Sequence, residues 1–257
     1  MKNLIVLLLL LTLSFGVAAS EGIELQEADI DLTDNASLQR GAQHFVTYCL
    51  GCHSAKHIRY LRIALDLGVD QKKMLKDIAP EGASIYDQLH SAMNKHDAEK
   101  WFGTQPPDLS LIARSRGADW LYSYLKSYYV EPGSPRGVNN LVFEDTAMPN
   151  PLWQLQGEQH AEPRKTIWGE YTQLVLEEPG TLSEREFDLF VNDLVNFLVY
   201  VGEPVQLERE RIGKYVIFFL LMFLVIAYLL KKEYWKDVDE FVFKKTGTFS
   251  CCLRHTF

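Results

Sequence analysis

The chain has 257 residues, of which 47% are hydrophobic and 23% charged, with a formal net charge of −8. This length allows one sizeable domain with attachments, and the acidic balance argues against a nucleic-acid-binding surface. The acidic excess lies before residue 214. An acidic surface keeps a domain soluble, and it can also steer a basic protein partner.

The first 19 residues have the form of a secretory signal. Lys2 supplies the charged start, residues 4–11 are an apolar run, and three small residues precede Ser20. We therefore predict a signal peptide over residues 1–19 and an exported domain over residues 20–208. A permanent N-terminal anchor is the alternative, and the run is short for it.

The central motif is Cys49-Leu50-Gly51-Cys52-His53, the attachment pattern of a c-type haem. Each thiol adds across one vinyl group of the porphyrin, and His53 then coordinates the iron from one face. A helix capped by Asp34 or Asn35 is predicted to lead into the motif. Its apolar face repeats at helical spacing and consists of Leu38, Ala42, Phe45, Val46 and Cys49.

Two other functions fit a Cys-x-x-Cys pair, namely a zinc site and a thiol–disulfide centre. A zinc site needs two further ligands, but the other cysteines, Cys251 and Cys252, are distant and predicted to lie across a membrane. A thioredoxin-like pair expects a helix that begins at the motif, whereas here a helix runs into it. We therefore predict one covalently attached haem c.

The second axial ligand of the iron is predicted to be Met148, in a loop of turn-forming residues that ends at Pro151. A thioether is a soft ligand that favours ferrous iron, and Pro149 stiffens the backbone beside it. The alternatives that remain open on position alone are His90, His96, Met74, Met93 and Met222.

Between the two predicted ligands, residues 57–67 are interpreted as a second helix, and residues 70–100 stay unassigned. Pro106 and Pro107 predict an extended segment, after which Asp108 or Ser110 caps a helix that begins near Leu111. Two arginines follow, Arg114 and Arg116. They either pair with the haem propionates or are ordinary solvated side chains, and the sequence favours neither alternative. Residues 118–129 then predict a short aromatic helix.

Residues 151–179 form a long insertion to which the sequence assigns no task. Ser183 and Glu186 have the spacing of a capping box, and they open a helix with a strong apolar stripe that ends at Gly202 and Pro204. We expect this helix to pack across the first one and to close the haem pocket. Its stripe consists of Phe187, Phe190, Val191, Leu194, Leu198 and Val201.

A second apolar run spans residues 215–230, between Lys214 and Lys231. It lacks a polar face, and the flanking residues extend it to the length of a membrane span. We predict a transmembrane anchor over residues 209–232. The lysines that follow predict a cytoplasmic tail over residues 233–257, and hence a periplasmic domain on a bacterial inner membrane.

These motifs together resemble the cytochrome c1 family, the membrane-anchored haem subunits of the cytochrome bc1 complex. The resemblance covers essentially the whole mature chain. It rests on the haem motif, Trp101-Phe102-Gly103, the run from Pro106 to Ser110, the run from Arg116 to Tyr122, Ala147-Met148-Pro149 and the single anchor.

The resemblance implies a mainly α, class I cytochrome c-like haem domain with loop insertions, plus one C-terminal transmembrane helix. It implies that Met148 is the sixth ligand, that Arg116 contacts a haem propionate and that Pro107 belongs to the haem site. The implied partners are cytochrome b, the Rieske iron–sulfur protein as electron donor and a cytochrome c as acceptor. Such a chain is an electron carrier, catalytic only within the complex, because the haem performs the chemistry.

Two competing functions remain. A free-standing membrane-anchored electron shuttle would need a long flexible linker before the anchor, and residues 202–211 are short for that. A periplasmic thiol–disulfide enzyme would keep Cys49 and Cys52 free, and it would lack visible absorption.

Overall fold

A computed structural model describes residues 24–166 and 169–246 of the chain. The predicted signal peptide, Trp168, Cys251 and Cys252 lie outside the described residues. The chain divides after Glu203 into two compact units. In the described residues the first unit is mainly helical and carries three two-stranded antiparallel sheets, and the second contains one long helix that reaches Thr246. The mainly α fold with a C-terminal membrane-type helix is therefore confirmed.

The bounds of the helices and strands are as follows, in chain order. The first half contains α1 (Asn35–Tyr48), β1 (Ala55–Arg59), α2 (Tyr60–Asp66), α3 (Gln71–Asp77), β2 (Gln88–Leu89), α4 (Lys95–Phe102), α5 (Ile112–Arg116) and α6 (Ala118–Lys126). The second half contains β3 (Tyr128–Val130), β4 (Val138–Asn140), α7 (Trp153–Gln156), β5 (Gly157–Thr166), β6 (Gly169–Pro179), α8 (Glu184–Gly202) and α9 (Gln206–Thr246).

Helices α1 and α8 form the centre of the first unit, as their apolar stripes predict. The Asp34 carboxylate accepts hydrogen bonds from two amides in the first turn of α1, and Ser183 and Glu186 form the expected capping box of α8. The facing side chains are almost fully buried and interdigitate, which excludes water from the crossing. They include Leu38, Ala42, Phe45, Val191, Leu194, Val195, Phe197 and Leu198.

The two helices approach closely at Gly41. A Cβ atom at this position would lie 2.0 Å from the Asp193 carbonyl oxygen and 2.7 Å from the Phe197 Cβ atom. The Arg40 guanidinium forms a bidentate pair with the Asp193 carboxylate, with N–O distances of 2.6 and 2.9 Å. This pair sets the register of the crossing, because its fork geometry tolerates little sliding.

The acidic segment 24–34 is extended, as predicted, and lies along α6 and α8. Its backbone amides donate to the Ser123 hydroxyl, the Asp119 carboxylate and the Asn192 side chain, with distances of 2.8–2.9 Å. Asn196 on α8 donates to the Asp31 carbonyl oxygen at 2.8 Å. The segment is therefore held by side chains from two helices although it forms no strand.

Two predictions about local structure are wrong in part, and a third segment, for which no secondary structure was predicted, forms a hairpin. Residues 57–67 contain the end of strand β1 before helix α2, because the partner strand β2 lies 30 residues further on and leaves no local signal. The aromatic helix ends at Lys126, since Tyr128 pairs with Asn140 in the β3–β4 sheet. The insertion 151–179 is mostly a hairpin of β5 and β6, whose charged strands lack a clear alternating pattern.

The second unit is helix α9, and the stretch Gln206–Lys236 has the length and composition to cross a membrane. The most apolar 18-residue window of this stretch has a mean hydropathy of 2.3, and the large apolar side chains of residues 215–230 are exposed. A 41-residue helix is roughly 60 Å long, about twice the hydrocarbon thickness of a bilayer. Helical backbone thus continues to Thr246, well into the predicted tail.

Candidate haem site

The Cys-x-x-Cys-His motif forms a tight turn at the C-terminal end of α1. The amides of Cys52 and His53 both donate to the Cys49 carbonyl oxygen, at 3.0 and 2.8 Å. The Ser91 hydroxyl donates to the Gly51 carbonyl oxygen at 2.8 Å, which ties the outer side of the turn to a distant loop. The turn therefore presents both thiols and the imidazole from one short, braced segment.

The two thiols are free and their surroundings suppress ionisation. Burial raises the pKa of Cys49 to about 12, and burial also raises the pKa of Cys52. A thiol–disulfide centre needs a thiol of lowered pKa, usually at a helix N-terminus. Cys49 instead caps the C-terminal end of α1, where the helix dipole disfavours a thiolate.

His53 is buried and is oriented by the Pro107 carbonyl oxygen. Its Nδ1 lies 2.8 Å from that oxygen, and because a carbonyl only accepts, Nδ1 carries the proton. The Nε2 atom is then the nitrogen with a lone pair for a metal. Burial lowers the pKa of His53, against smaller opposite effects of the Pro107 hydrogen bond and the Asp108 charge. The neutral imidazole that iron requires is thus favoured.

The segment from Pro106 to Ser110 lies along residues 53–57. The Leu109 amide donates to the Ser54 carbonyl oxygen at 2.8 Å, and the Ser110 hydroxyl accepts from the His57 amide at 3.1 Å. The Asp108 carboxylate accepts from the amides of Lys56 and Ser110. The predicted cap of the next helix is wrong, because α5 has no side-chain cap and these side chains bind β1 instead.

Arg116 and three aromatic residues, each four positions after the last, form a row that begins at the end of α5, follows α6 and ends at the start of β3. The Arg116 guanidinium carbon lies 5.0 Å from the Trp120 ring centre, and Trp120 stacks on Tyr124 at 4.9 Å. Tyr128 meets Tyr124 edge to face at 5.4 Å. Among the described residues Arg116 forms no ion pair, whereas Arg114 pairs with Glu203. Of the two arginines, Arg116 is therefore the one available to a propionate.

Met148 is partly buried and packs against the core of the first unit. The Tyr128 hydroxyl donates to its main-chain carbonyl oxygen at 3.3 Å. Two buried asparagines shape the preceding loop: Asn139 accepts from the Asp145 amide at 2.9 Å, and Asn140 accepts from the Val142 and Phe143 amides. The sequence indicated the loop but not the contact of Tyr128 with Met148, which joins residues 20 positions apart.

The alternative axial ligands occupy different settings. The His90 and His96 side chains are exposed, and that of His96 is 86% exposed. Met74 is fully buried in the core from α3, as expected of a residue that fills space. Met93 lines a shallow 220 Å³ cavity beside Cys52. Met148 lies in a loop that buried hydrogen bonds hold at Thr146 and Asn140.

The donor set of this site fits a c-type haem. The turn at the end of α1 supplies two thiols of raised pKa and a buried imidazole with one oriented nitrogen, and the chain offers a loop thioether in Met148 and an arginine beside an aromatic row as further groups for a haem. Among residues 24–166 and 169–246, no group of three His, Cys, Asp or Glu side chains is arranged to hold a metal ion. The cysteine pair consequently lacks, in that part of the chain, the further ligands that a zinc site requires.

Comparison with known proteins gives a consistent set of similarities. The sequence profile of the Cytochrome C1 family matches residues 81–238, a range that contains Pro107, Arg116 and Met148. A cytochrome c1 of Allochromatium vinosum is 50% identical over 243 residues, covering 93% of this chain and 100% of that protein. A cytochrome c1 of Rhodospirillum rubrum is 28% identical over 236 residues, covering 80% of this chain and 84% of that protein.

A further relative has a different name. The ammonia monooxygenase gamma subunit of Nitrosomonas europaea is 45% identical over 240 residues, covering 93% of this chain and 100% of that protein. Proteins with two different names are thus similar to this chain over 93% of its length.

Proposed function

Because this chain belongs to the cytochrome c1 family, we propose that it passes electrons from a Rieske iron–sulfur protein to a cytochrome c. Family membership supports an electron-transfer haem subunit of the cytochrome bc1 complex. The implied membrane partner is cytochrome b. The observation that carries the proposal is the joint presence of the buried His53, oriented through Nδ1, and family similarity over 93% of the chain.

Each site residue has a defined task in this proposal. Cys49 and Cys52 would hold one haem c through thioether bonds, and His53 Nε2 and the Met148 thioether would be the ligands of its iron. The bound haem supplies the one-electron chemistry. The Pro107 carbonyl holds the His53 ring in one orientation and increases the basicity of Nε2 through the Nδ1 hydrogen bond. Arg116 pairs with a propionate, since its guanidinium fork matches a carboxylate.

The contacts also weigh against the two competing functions. Helix α8 ends at Gly202 and α9 begins at Gln206, so three residues join the haem domain to the anchor. A free-standing shuttle would need a longer reach. The raised pKa values of Cys49 and Cys52 oppose a thiol–disulfide enzyme, which depends on a reactive thiolate.

We propose that the haem domain faces the periplasm and that the lysines after residue 230 face the cytoplasm. The support is the secretory form of residues 1–19 and the positive charge of Lys231, Lys232 and Lys236. Protease added to intact spheroplasts should cleave the haem domain and leave the C-terminal tail protected. Protection of the haem domain would refute this orientation.

A redox titration of purified membranes tests the proposed ligands. We expect a c-type α-band in the reduced-minus-oxidised spectrum, and a sharply lower potential in Met148→Leu with the covalent haem retained. An unchanged potential in Met148→Leu would refute this ligand and direct attention to His90 and His96. Absence of any haem band, with the attachment machinery present, would refute the haem site itself.

Purification of the tagged chain tests the proposed assembly. We expect cytochrome b and a Rieske protein to copurify with it, and quinol to reduce its haem in the isolated complex. Copurification with an ammonia-oxidising enzyme instead would favour the role that the name of the Nitrosomonas relative gives to that protein. Isolation of the chain alone, with its haem, would favour the electron shuttle.

A further inference from the structure

Three buried hydroxyl groups lie next to the Met148 loop, and the proposed function does not use them. They belong to Tyr124 on α6, Tyr128 on β3 and Thr146 in the loop, whose residues are 8%, 1% and 4% exposed. The Tyr124 oxygen lies 2.8 Å from the Thr146 hydroxyl and 2.7 Å from the Tyr128 hydroxyl. The three groups therefore form a continuous hydrogen-bonded chain away from water.

This hydroxyl chain of Tyr124, Tyr128 and Thr146 reaches the loop at two places. One end is the Thr146 side chain, two residues before Met148, and the other is the contact of the Tyr128 hydroxyl with the Met148 carbonyl oxygen at 3.3 Å. Two attachment points on either side of Ala147 restrain both the position and the rotation of this short segment. A single contact would leave the backbone free to pivot.

The tyrosines are themselves fixed on regular structure. Tyr124 stacks on Trp120 with an interplanar angle of 8°, and its carbonyl oxygen accepts from the Asn140 side chain at 2.7 Å. Tyr128 begins strand β3, paired with Asn140 on β4. The loop is thus tied to a helix and a sheet rather than to another loop.

We infer that the hydroxyl chain of Tyr124, Tyr128 and Thr146 positions Met148 as an iron ligand. This inference rests on the Met148 ligation proposed above. A thioether is a neutral ligand, and its bond to ferric iron competes with any nitrogen ligand that enters the site. A loop that is already ordered lowers the cost of forming that bond, since little conformational entropy remains to be lost. The three are positioning residues, because they act through the Met148 backbone.

Imidazole titration of the ferric, full-length haem protein in detergent tests this inference, with the visible spectrum as readout. In Tyr128→Phe and Thr146→Val we expect imidazole to bind about tenfold more tightly than in the unaltered protein, the fold-change expected from losing one buried hydrogen bond. The midpoint potential should fall in the same two variants. Thr146→Ser keeps the hydroxyl and should restore both values to within about twofold of the original.

Tyr200→Phe is the matched control. It removes a tyrosine hydroxyl of α8 that donates to the Asp66 carboxylate at 2.8 Å, away from the Met148 loop. It should lower thermal stability yet leave the imidazole affinity unchanged. An equal rise in affinity in Tyr200→Phe would show that general destabilisation is the cause and would overturn the inference.

Met148→Leu separates failure of this inference from failure of the ligand assignment. If Met148→Leu binds imidazole far more tightly while Tyr128→Phe and Thr146→Val behave as the unaltered protein, the ligand stands and the positioning role is refuted. If Met148→Leu itself leaves the affinity and the potential unchanged, the ligand proposal fails and the positioning role fails with it.

Discussion

Replacement of Gly41 by alanine tests the close contact between α1 and α8. An added Cβ would lie 2.0 Å from the Asp193 carbonyl oxygen and 2.7 Å from the Phe197 Cβ atom. Neither neighbour is the end of a flexible side chain, so no rotamer change can relieve the overlap. The helices must move apart by roughly 1 Å before these atoms reach an ordinary van der Waals separation.

The cost of this displacement exceeds the intrinsic gain from alanine. Alanine is favoured over glycine in a helix interior by about 1 kcal/mol. A gap of about 1 Å forfeits a quarter to a half of each facing dispersion contact, and overpacking a core costs about 1–3 kcal/mol or more. We expect a net destabilisation of about 2 kcal/mol, which lowers the melting temperature of a domain of this size by roughly 4–8 °C.

Thermal unfolding of the full-length haem protein in detergent, followed by circular dichroism, measures this effect. Gly133→Ala is the matched control, because no atom lies within 4 Å of its Cβ position and its φ is not left-handed. The control should melt at or slightly above the original temperature. If the melting temperature of Gly41→Ala equalled that of the control, the described approach of α1 to α8 would be incorrect.

Three further predictions concern pH, charge and capping. Burial lowers the pKa of His44, the Arg40 charge lowers it further, and the Asp193 charge opposes both. Below about pH 6.5 the unfolded chain therefore binds more protons at His44 than the folded protein does, so the free energy of unfolding should fall as the pH decreases. Between pH 7 and pH 5 the free energy of unfolding should decrease less in His44→Gln than in the original protein. An equal decrease in both would exclude His44 as the cause. Arg116→Gln removes a positive charge and should lower the haem potential by tens of millivolts, since about 1 kcal/mol corresponds to roughly 40 mV for one electron. If the midpoint potential of Arg116→Gln equalled those of Arg116→Lys and the original protein, Arg116 would not belong to the site. Ser183→Ala should lower the free energy of unfolding by about 1 kcal/mol, because it removes the capping box of α8. Denaturant unfolding measures this free energy, and it should change little in Ser183→Thr.

The sequence was informative where the controlling interactions are local. The apolar stripes and caps of α1 and α8 predicted both helices and their packing, since a periodic face has to be buried. The Cys-x-x-Cys-His pattern predicted the turn that groups the thiols and the imidazole. Pro106 and Pro107 likewise predicted an extended segment, because each ring restricts its own backbone and that of the residue before it.

The sequence failed where the partner lies far along the chain. Strand β1 depends on residues 88–89, and Asp108 binds the amide of Lys56 rather than the helix that follows it. The hairpin of β5 and β6 contains Pro163 and many charges, which obscure any alternation of apolar residues. The hydroxyls of Tyr124, Tyr128 and Thr146 become one chain only after α6, β3 and the loop have packed together.

The pairing of α1 with α8 also sets the order in which the haem domain is completed. Arg40 and Asp193 are separated by 153 positions, so the central helix pair forms only after nearly the whole domain has been synthesised. Contacts of such large sequence separation form late, because a long loop must close before they are made. The cysteine pair lies at the end of α1 and is therefore complete well before α8 can pack against that helix. If the proposed haem is attached at this stage, α8 then packs against a first helix that already carries its cofactor.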